Sequence, residues 1–512
     1  MKSNSLFGRI PLFLTIAASL VALSANAQIP AQRVSNIAIG GRNLSQNANP
    51  ANFTLVDTRL FFTASDNHGN RGVYEKDLVD KFGNLLPTVW TGKGNTPKFL
   101  KKFKLPVGVA DMNEFTATES DGLPHTGKVY FHVPGSGLWM TYGKTPVSLG
   151  KFDDALLSDS VTSLMAAQAI SDTPVVYFGG WMKKTGQELY RSEGTVPTTK
   201  VVDDIVAGTG SSHPDSMVEL SEGDEGSTVF FRATSQGALF PQLWETSTTD
   251  LTHAALVLSS TLGAPAQLVT SEDIGGCYFV MPTTNSNGVP ELWSATSAPG
   301  SATPVTSGGV NPQNLTVFPG GGGGSVIFSG SDPVNGTQLW EADSLDGSGL
   351  LNIINPNGNA NPYDLTAAGS EFYFGATVTD SNSNSANYLF VTDGNEADTA
   401  YVANVTDSVV YYPTNPSQIT PVLSYQGSGP VYFVADGTID DGAGPVFTQN
   451  VLWILANNDG VEYATPVLDA NNKVVTGAYN LTSIVNPSYF YRLYFARDGN
   501  DGFGTEVWVT EN

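Results

Sequence analysis

Cysteine is nearly absent from this 512-residue chain, where Cys277 stands alone, and that excludes any disulfide within it. Cys277 lies in the apolar run Gly276-Cys277-Tyr278-Phe279 and reads as a small buried hydrophobe. Histidine is sparse too. His68, His125, His132, His213 and His253 form no i, i+4 pair and have no cysteine partner, so they carry no zinc or triad signature and read as surface or turn residues. Basic residues are outnumbered 24 to 48 by acidic ones, giving a formal charge of −24. Such a surface repels nucleic acid and anionic lipid and tolerates divalent cations. No apolar run after residue 27 is long enough to span a bilayer, so membrane insertion is not expected.

The first 27 residues have the pattern of a signal peptide: Lys2 and Arg9, an apolar stretch from Leu12 to Leu23, and Ala25-Asn26-Ala27 as a cleavage site. The expected mature domain is 28–512, without Lys2 and Arg9 and so at −26. No cysteine follows the cleavage site, which argues against a lipoprotein, and the product is expected to be periplasmic or secreted.

What is abundant is turn and strand chemistry. With 54 glycines, 30 prolines and 10% aromatics, the composition suits many short strands joined by tight turns. An apolar run ending in an aromatic recurs at Phe62, Phe131, Phe178, Phe231, Phe279, Phe328, Phe374, Phe433 and Phe495. From 8 to 20 residues later comes a second apolar-aromatic pair, ending at Tyr74, Trp139, Tyr190, Trp244, Trp293, Trp340, Phe390, Trp453 and Trp508. We label these segments b and c. Ahead of b lies segment a, often opened by Asn-Pro, as at Asn49-Pro50, Asn311-Pro312, Asn361-Pro362 and Asn415-Pro416, and followed by a polar residue and an apolar-Thr pair. Proline fits the first residue of a strand, which need not donate to the ladder. Behind c lies a Val/Ile-rich segment d. Successive b runs are 69, 47, 53, 48, 49, 46, 59 and 62 residues apart, and the shorter intervals match a four-stranded propeller blade.

The fold expected is therefore all-β, a single-ring β-propeller of four-stranded blades. The motif count predicts nine blades, with eight as the alternative if the Phe131/Trp139 unit is dropped. The chain ends just after a c segment, while residues 34–39 precede the first a segment without a b or c of their own. The N-terminal strand is thus expected to complete the C-terminal blade and close the ring.

Glu188-Leu189-Tyr190-Arg191-Ser192-Glu193-Gly194-Thr195 resembles the signature of the bacterial ELWxxDGT repeat proteins, and Glu291-Leu292-Trp293, Gln338-Leu339-Trp340-Glu341 and Asp393-Gly394 match parts of it. The resemblance implies a secreted propeller-like array and offers no catalytic residues.

In a propeller the b-c hairpins and d-a connections emerge on one rim. Acidic glycine-rich turns there are the candidate metal sites: Asp498, Asn500 and Asp501 in one, Asp436, Asp440 and Asp441 in the other. Oxygen-bearing residues alternating with glycine suit Ca²⁺, although neither loop has EF-hand spacing and plain hairpin turns use the same residues. No other cofactor is expected. Glu222, Asp224 and Glu225 read as a solvated acidic turn. The glycine run 320–324 lacks the Lys-Ser/Thr and helix of a phosphate loop. Lys98, Lys101, Lys102 and Lys104, interleaved with Phe99, Leu100 and Phe103, read as a strand with one solvated face or as an edge for docking a partner. With no recurrent catalytic group, the leading expectation is a monomeric, non-catalytic scaffold presenting rim loops to a protein or glycan ligand. The alternatives are a polysaccharide-active enzyme with paired carboxylates at the channel and a calcium-stabilised adhesin or surface-layer module.

Overall fold

The paired aromatics decide the sheets. In every repeat the aromatic ending segment b stands directly opposite the one ending segment c: Phe62 faces Tyr74, Phe131 Trp139 and Phe178 Tyr190. Phe231 faces Trp244, Phe279 Trp293, Phe328 Trp340, Phe374 Phe390, Phe433 Trp453 and Phe495 Trp508. The rings stack across the strand pair, with centroids 5.7 Å apart for Phe178 and Tyr190 and 5.5 Å for Phe374 and Phe390. Cross-strand aromatic pairs of this kind are the unit of sheet stabilisation, and they set the register.

The computed structural model describes residues 29–511 except 35–47, 67, 79–96, 119–126, 157–159, 168–173, 223–225, 260, 283–287, 307–308, 318–324, 344–346, 395–398, 403, 407–408, 423–428, 441–444, 459–460, 487–489 and 499–503. The described residues contain no α-helix and form an all-β protein of antiparallel sheets. Among them are seven four-stranded sheets and one eight-stranded sheet. The eight-stranded sheet consists of two runs, residues 363–401 and 414–466, joined through the single pairing of Tyr388 with Thr414. No helix among the described residues is long and apolar enough to cross a membrane.

Strand order within a sheet follows the sequence, from a through d, except in the last sheet, where Ile29–Arg33 stands beside Thr505–Glu511. The a strand of each sheet lies against the a strand of the next, and the last one, Tyr479–Asn486, lies against the first, Ala51–Val56. Between sheets the b and c side chains form the cores. Tyr190 packs with Tyr130 and Leu138 of the preceding sheet, and Phe328 with Tyr278 and Leu292. Cys277 is fully buried in one of these cores, and burial pushes its thiol well above the usual range.

Each a strand also carries a bulge. Asn52, Glu114, Ser163, Ser216, Gln267, Asn314, Asp364, Gln418 and Asn480 all have φ between 50 and 57°. At each of them the register with strand b shifts, as between Ala51 and Thr54 or Gln313 and Thr316. A bulge leaves one extra residue unpaired, and Asn and Asp tolerate its left-handed conformation best among residues with side chains. The freed side chain reaches the next sheet. Asn52 Nδ2 donates to Met112 O at 3.0 Å, Leu164 N donates to Glu114 Oε2 at 3.1 Å, and Asn314 N donates to Gln267 Oε1 at 2.7 Å. Asn314 Nδ2 donates to Pro362 O at 3.0 Å, and Asn480 Nδ2 donates to Pro50 O at 3.3 Å, linking the last sheet to the first.

Two expectations need correction. The N-terminal strand that pairs with Thr505–Glu511 is Ile29–Arg33, not residues 34–39; Gln32 stands opposite Val509 and Arg33 opposite Trp508. Val34 N still donates to Val507 O at 2.8 Å, and residues 35–39 lie outside the described set. The basic stretch at residue 98 is the d strand of the first sheet, Lys98–Lys102, but its exposure does not alternate as a strand with one solvated face requires. Leu100 is buried while Lys98, Phe99 and Lys102 are exposed, because the register with strand c shifts between Phe99 and Lys101.

Candidate functional site

The glutamate that opens the Glu188–Thr195 motif is fully buried. Glu188 begins at the b-c hairpin, and its carboxylate accepts hydrogen bonds from the backbone of the following d-a connection: Ile205 N at 3.1 Å, Val206 N at 3.3 Å and Ser212 N at 3.1 Å, with Ser212 Oγ donating as well. Burial pushes its pKa up to about 7, with the Ser212 hydroxyl and the two backbone donors pulling the other way. Gln338 stands at the same place in its repeat. Its Oε1 accepts from Asn355 N at 3.1 Å, and its Nε2 donates to Asn355 O and Gly358 O, both at 3.0 Å. Glu or Gln before the Leu-aromatic pair therefore clamps the hairpin to the connection that leads to the next sheet. It is spent on architecture.

Where the repeat has Gly137 in place of Glu, the clamp is built from the other side. Asp153, in the d-a connection, accepts from Gly137 N at 3.2 Å and Val161 N at 3.3 Å and is bound by His132 Nε2 at 2.9 Å. The other ring nitrogen, His132 Nδ1, is 2.8 Å from Asn113 Oδ1. A Cβ at Gly137 would come within 2.2 Å of Gly150 O, so no side chain fits. His132 is thus a buried core histidine and not the surface residue its sequence suggests. Its only sequence signal is its place directly after the b aromatic, where Arg232 and Thr63 stand in other repeats and likewise reach toward strand a. Arg232 forms a bidentate pair with Asp215, and Thr63 Oγ1 donates to Asp111 Oδ2 at 2.8 Å. Arg71 completes this latter cluster, its Nε donating to Asp111 Oδ1 at 2.8 Å and its Nη1 to Asn49 O at 2.6 Å. The remaining described histidines sit on the surface, His68 beside Asp66 at 4.0 Å and His253 beside Asp203 at 3.5 Å, with His213 Nδ1 held by Gln187 Oε1 at 2.8 Å. His125 lies outside the described residues.

The two candidate calcium turns are placed differently. Asp498 is the exposed last residue of strand Phe490–Asp498, opposite Thr505, while Asn500 and Asp501 lie outside the described residues. Asp436 and Asp440 are not in a turn; both belong to strand Val431–Asp440, because this hairpin extends further than its glycines suggest. The Asp436 carboxylate accepts from Asn415 Nδ2 at 3.0 Å and Asn450 N at 2.9 Å. Asp441 lies outside the described residues, as do Asp224, Glu225 and the glycine run 320–324. Glu222 accepts from Thr228 Oγ1 at 2.9 Å.

The b-c hairpins and d-a connections meet at one end of the sheets. Gln187 N donates to Ser211 Oγ at 2.9 Å and Thr337 N to Asn359 Oδ1 at 2.9 Å. Val107 and Leu156 in d-a connections and Leu239 and Val334 at b-c hairpins are each at least 82% exposed, the most exposed large apolar residues among those described.

No family model matches the chain, and no curated protein matches it. Among solved structures it is similar to a puromycin hydrolase at 11% identity and TM-score 0.37, over 79% of this chain and 62% of that one. A puromycin-hydrolyzing peptidase of Mycobacterium tuberculosis matches at 10% identity and TM-score 0.37, over 77% and 64%. A nidogen/laminin complex matches at 14% and 0.28, over 52% and 89%. The chain spans less than two thirds of the length of the two puromycin-hydrolysing proteins.

Proposed function

We propose that this chain is an exported, non-catalytic interaction or scaffold protein whose rim loops present a binding surface to a protein or glycan ligand. In this reading residues 28–512 form a single ring of nine four-stranded blades, the eight-stranded sheet counting as two, and the strand Ile29–Arg33 completes the last blade. Support for the ring comes from the contact of Tyr479–Asn486 with Ala51–Val56 and from the bond between Asn480 and Pro50. The observation that carries the functional reading is the division of labour along the chain. Signature carboxylates and buried polar groups are consumed in clamps between loops, whereas the tips of those loops hold exposed apolar side chains with no role in any core. Loops on a rigid frame are where such proteins place recognition.

The test is thermal unfolding of the mature chain beside a truncation lacking residues 28–41, with both incubated against soluble polysaccharides and peptides. The truncation opens a sheet edge and should lower the melting temperature by many degrees, since the paired strand Ile29–Arg33 and its core contacts are lost. A truncation that melts like the parent would sink the closed ring. Release of soluble product by the intact chain would sink the non-catalytic reading in favour of an extracellular enzyme.

A further inference from the structure

We propose that Tyr388, Tyr401 and Tyr412 form a platform for a neutral glycan chain, an assignment that rests on the rim reading above and gives it a ligand class. Tyr388 belongs to the c strand Ser385–Thr392, Tyr401 to the two-residue d strand Ala400–Tyr401, and Tyr412 to the connection that follows. Their centroids lie 5.5 Å (Tyr388 to Tyr401), 6.1 Å (Tyr388 to Tyr412) and 5.4 Å (Tyr401 to Tyr412) apart, at interplanar angles of 79°, 82° and 54°. Phe390, itself buried, supports Tyr401 at 4.5 Å. Yet Tyr401 and Tyr412 each remain 43% exposed. The connection bringing Tyr412 over the other two rings contains its own two-stranded hairpin, Asn404–Thr406 with Val409–Tyr411. Ordered aromatic rings held against each other and left open to solvent offer apolar faces to a ligand and hydroxyls at their edges.

Three features select the ligand. Because the rings touch, there is no slot between them for a quaternary ammonium or for the ridges of a polyproline helix, and because they are steeply inclined to one another each presents its own face, which the flat C–H face of a pyranose matches one ring at a time. The phenol hydroxyls of Tyr388, Tyr401 and Tyr412 can each donate and accept, which suits a ligand rich in hydroxyl groups. Charge excludes acidic sugars. Residues 233–512 hold 26 acidic side chains against Lys473, Arg492 and Arg497, and both arginines are buried.

The experiment is affinity electrophoresis of the mature chain through gels containing hydroxyethylcellulose, xyloglucan, amylopectin, dextran, galactomannan or alginate. At least one neutral polymer should retard the protein and alginate should not. Tyr401→Ala and Tyr412→Ala should each weaken that retardation about tenfold, the worth of one lost aromatic contact, with the protein still folded and its melting temperature lowered by only a few degrees because each ring is 43% exposed. The double Tyr→Phe variant, which keeps the rings, should retain most of it. Retardation by none of the neutral polymers, or by alginate equally, overturns the proposal, as does binding of a decaproline peptide in place of every glycan. Retardation that survives both alanine substitutions overturns this platform while leaving the rim reading intact; hydrolysis of a polymer bound through these tyrosines would instead overturn the non-catalytic reading alone.

Discussion

Replacing Glu188 by Gln tests whether the signature residue is a buried clamp. The carboxyl's ordinary value is 4.5, and burial raises it to about 7 in the folded protein. Between those values the native state keeps a proton that the unfolded chain has released, so the native state binds more protons and stability falls as pH rises. Each unit costs about 1.4 kcal/mol, and the whole window about 3 kcal/mol, fully expressed above pH 7 and absent below pH 4.5. The Gln variant cannot titrate. It carries a constant penalty of about 1–2 kcal/mol, because one amide N–H₂ now faces backbone donors such as Ile205 N. Urea unfolding of both proteins at pH 4.5, 5.5, 6.5 and 8 removes the contribution of every other titrating group by subtraction. Glu188→Gln should gain about 3 kcal/mol on the wild type across the series, starting less stable and ending at least as stable. If instead the wild type gains on the variant as pH rises, the four hydrogen bonds hold the carboxylate ionised in the fold and the reasoning from burial is wrong.

His132→Ala removes the ring that bridges Asn113 and the fully buried Asp153; it should cost about 1–3 kcal/mol by leaving that carboxylate with only its backbone donors Gly137 N and Val161 N, and Asp153→Asn in the same chain should recover part of the loss in urea unfolding. Gly137→Ala should cost at least about 2 kcal/mol, since φ is +86° and the new Cβ would strike Gly150 O and the backbone at Lys151; a melting temperature like the parent's would show that the d-a connection can move aside. Millimolar Ca²⁺ should raise the melting temperature if Asp498, Asn500 and Asp501 hold the ion, by about 2.7 kcal/mol of stabilisation at a hundred times the dissociation constant, and Asp498→Asn with Asp501→Asn should abolish the rise. Identical melts with calcium and with a chelator would leave that loop a turn.

Sequence periodicity reached the ladder register because one physical cause sets both. An apolar run ending in an aromatic is buried on both faces, and its partner must present an equal ring across the strand pair, so Phe178 opposite Tyr190 and Phe433 opposite Trp453 were legible from spacing alone. The proline and the polar residue of segment a were visible as well, but the left-handed turn at Asn314 and its bond to Pro362 were not, since the partner lies 48 residues on, in another sheet. Likewise the Glu of the signature could be read as a motif but not as a clamp, because its partners are backbone amides that carry no residue-type signal.

What the chain determined by itself is the strand content, the b-c pairing and the acidic balance, all local or compositional properties. Only the tertiary structure decided which polar groups meet. It buried His132 against Asp153, drew Asp436 into a strand, placed the N-terminal pairing at Ile29–Arg33 and gathered Tyr388, Tyr401 and Tyr412 from two strands and a connection. Those outcomes depend on where neighbouring sheets come to lie, and a contact between residues far apart in sequence has no period from which it can be read.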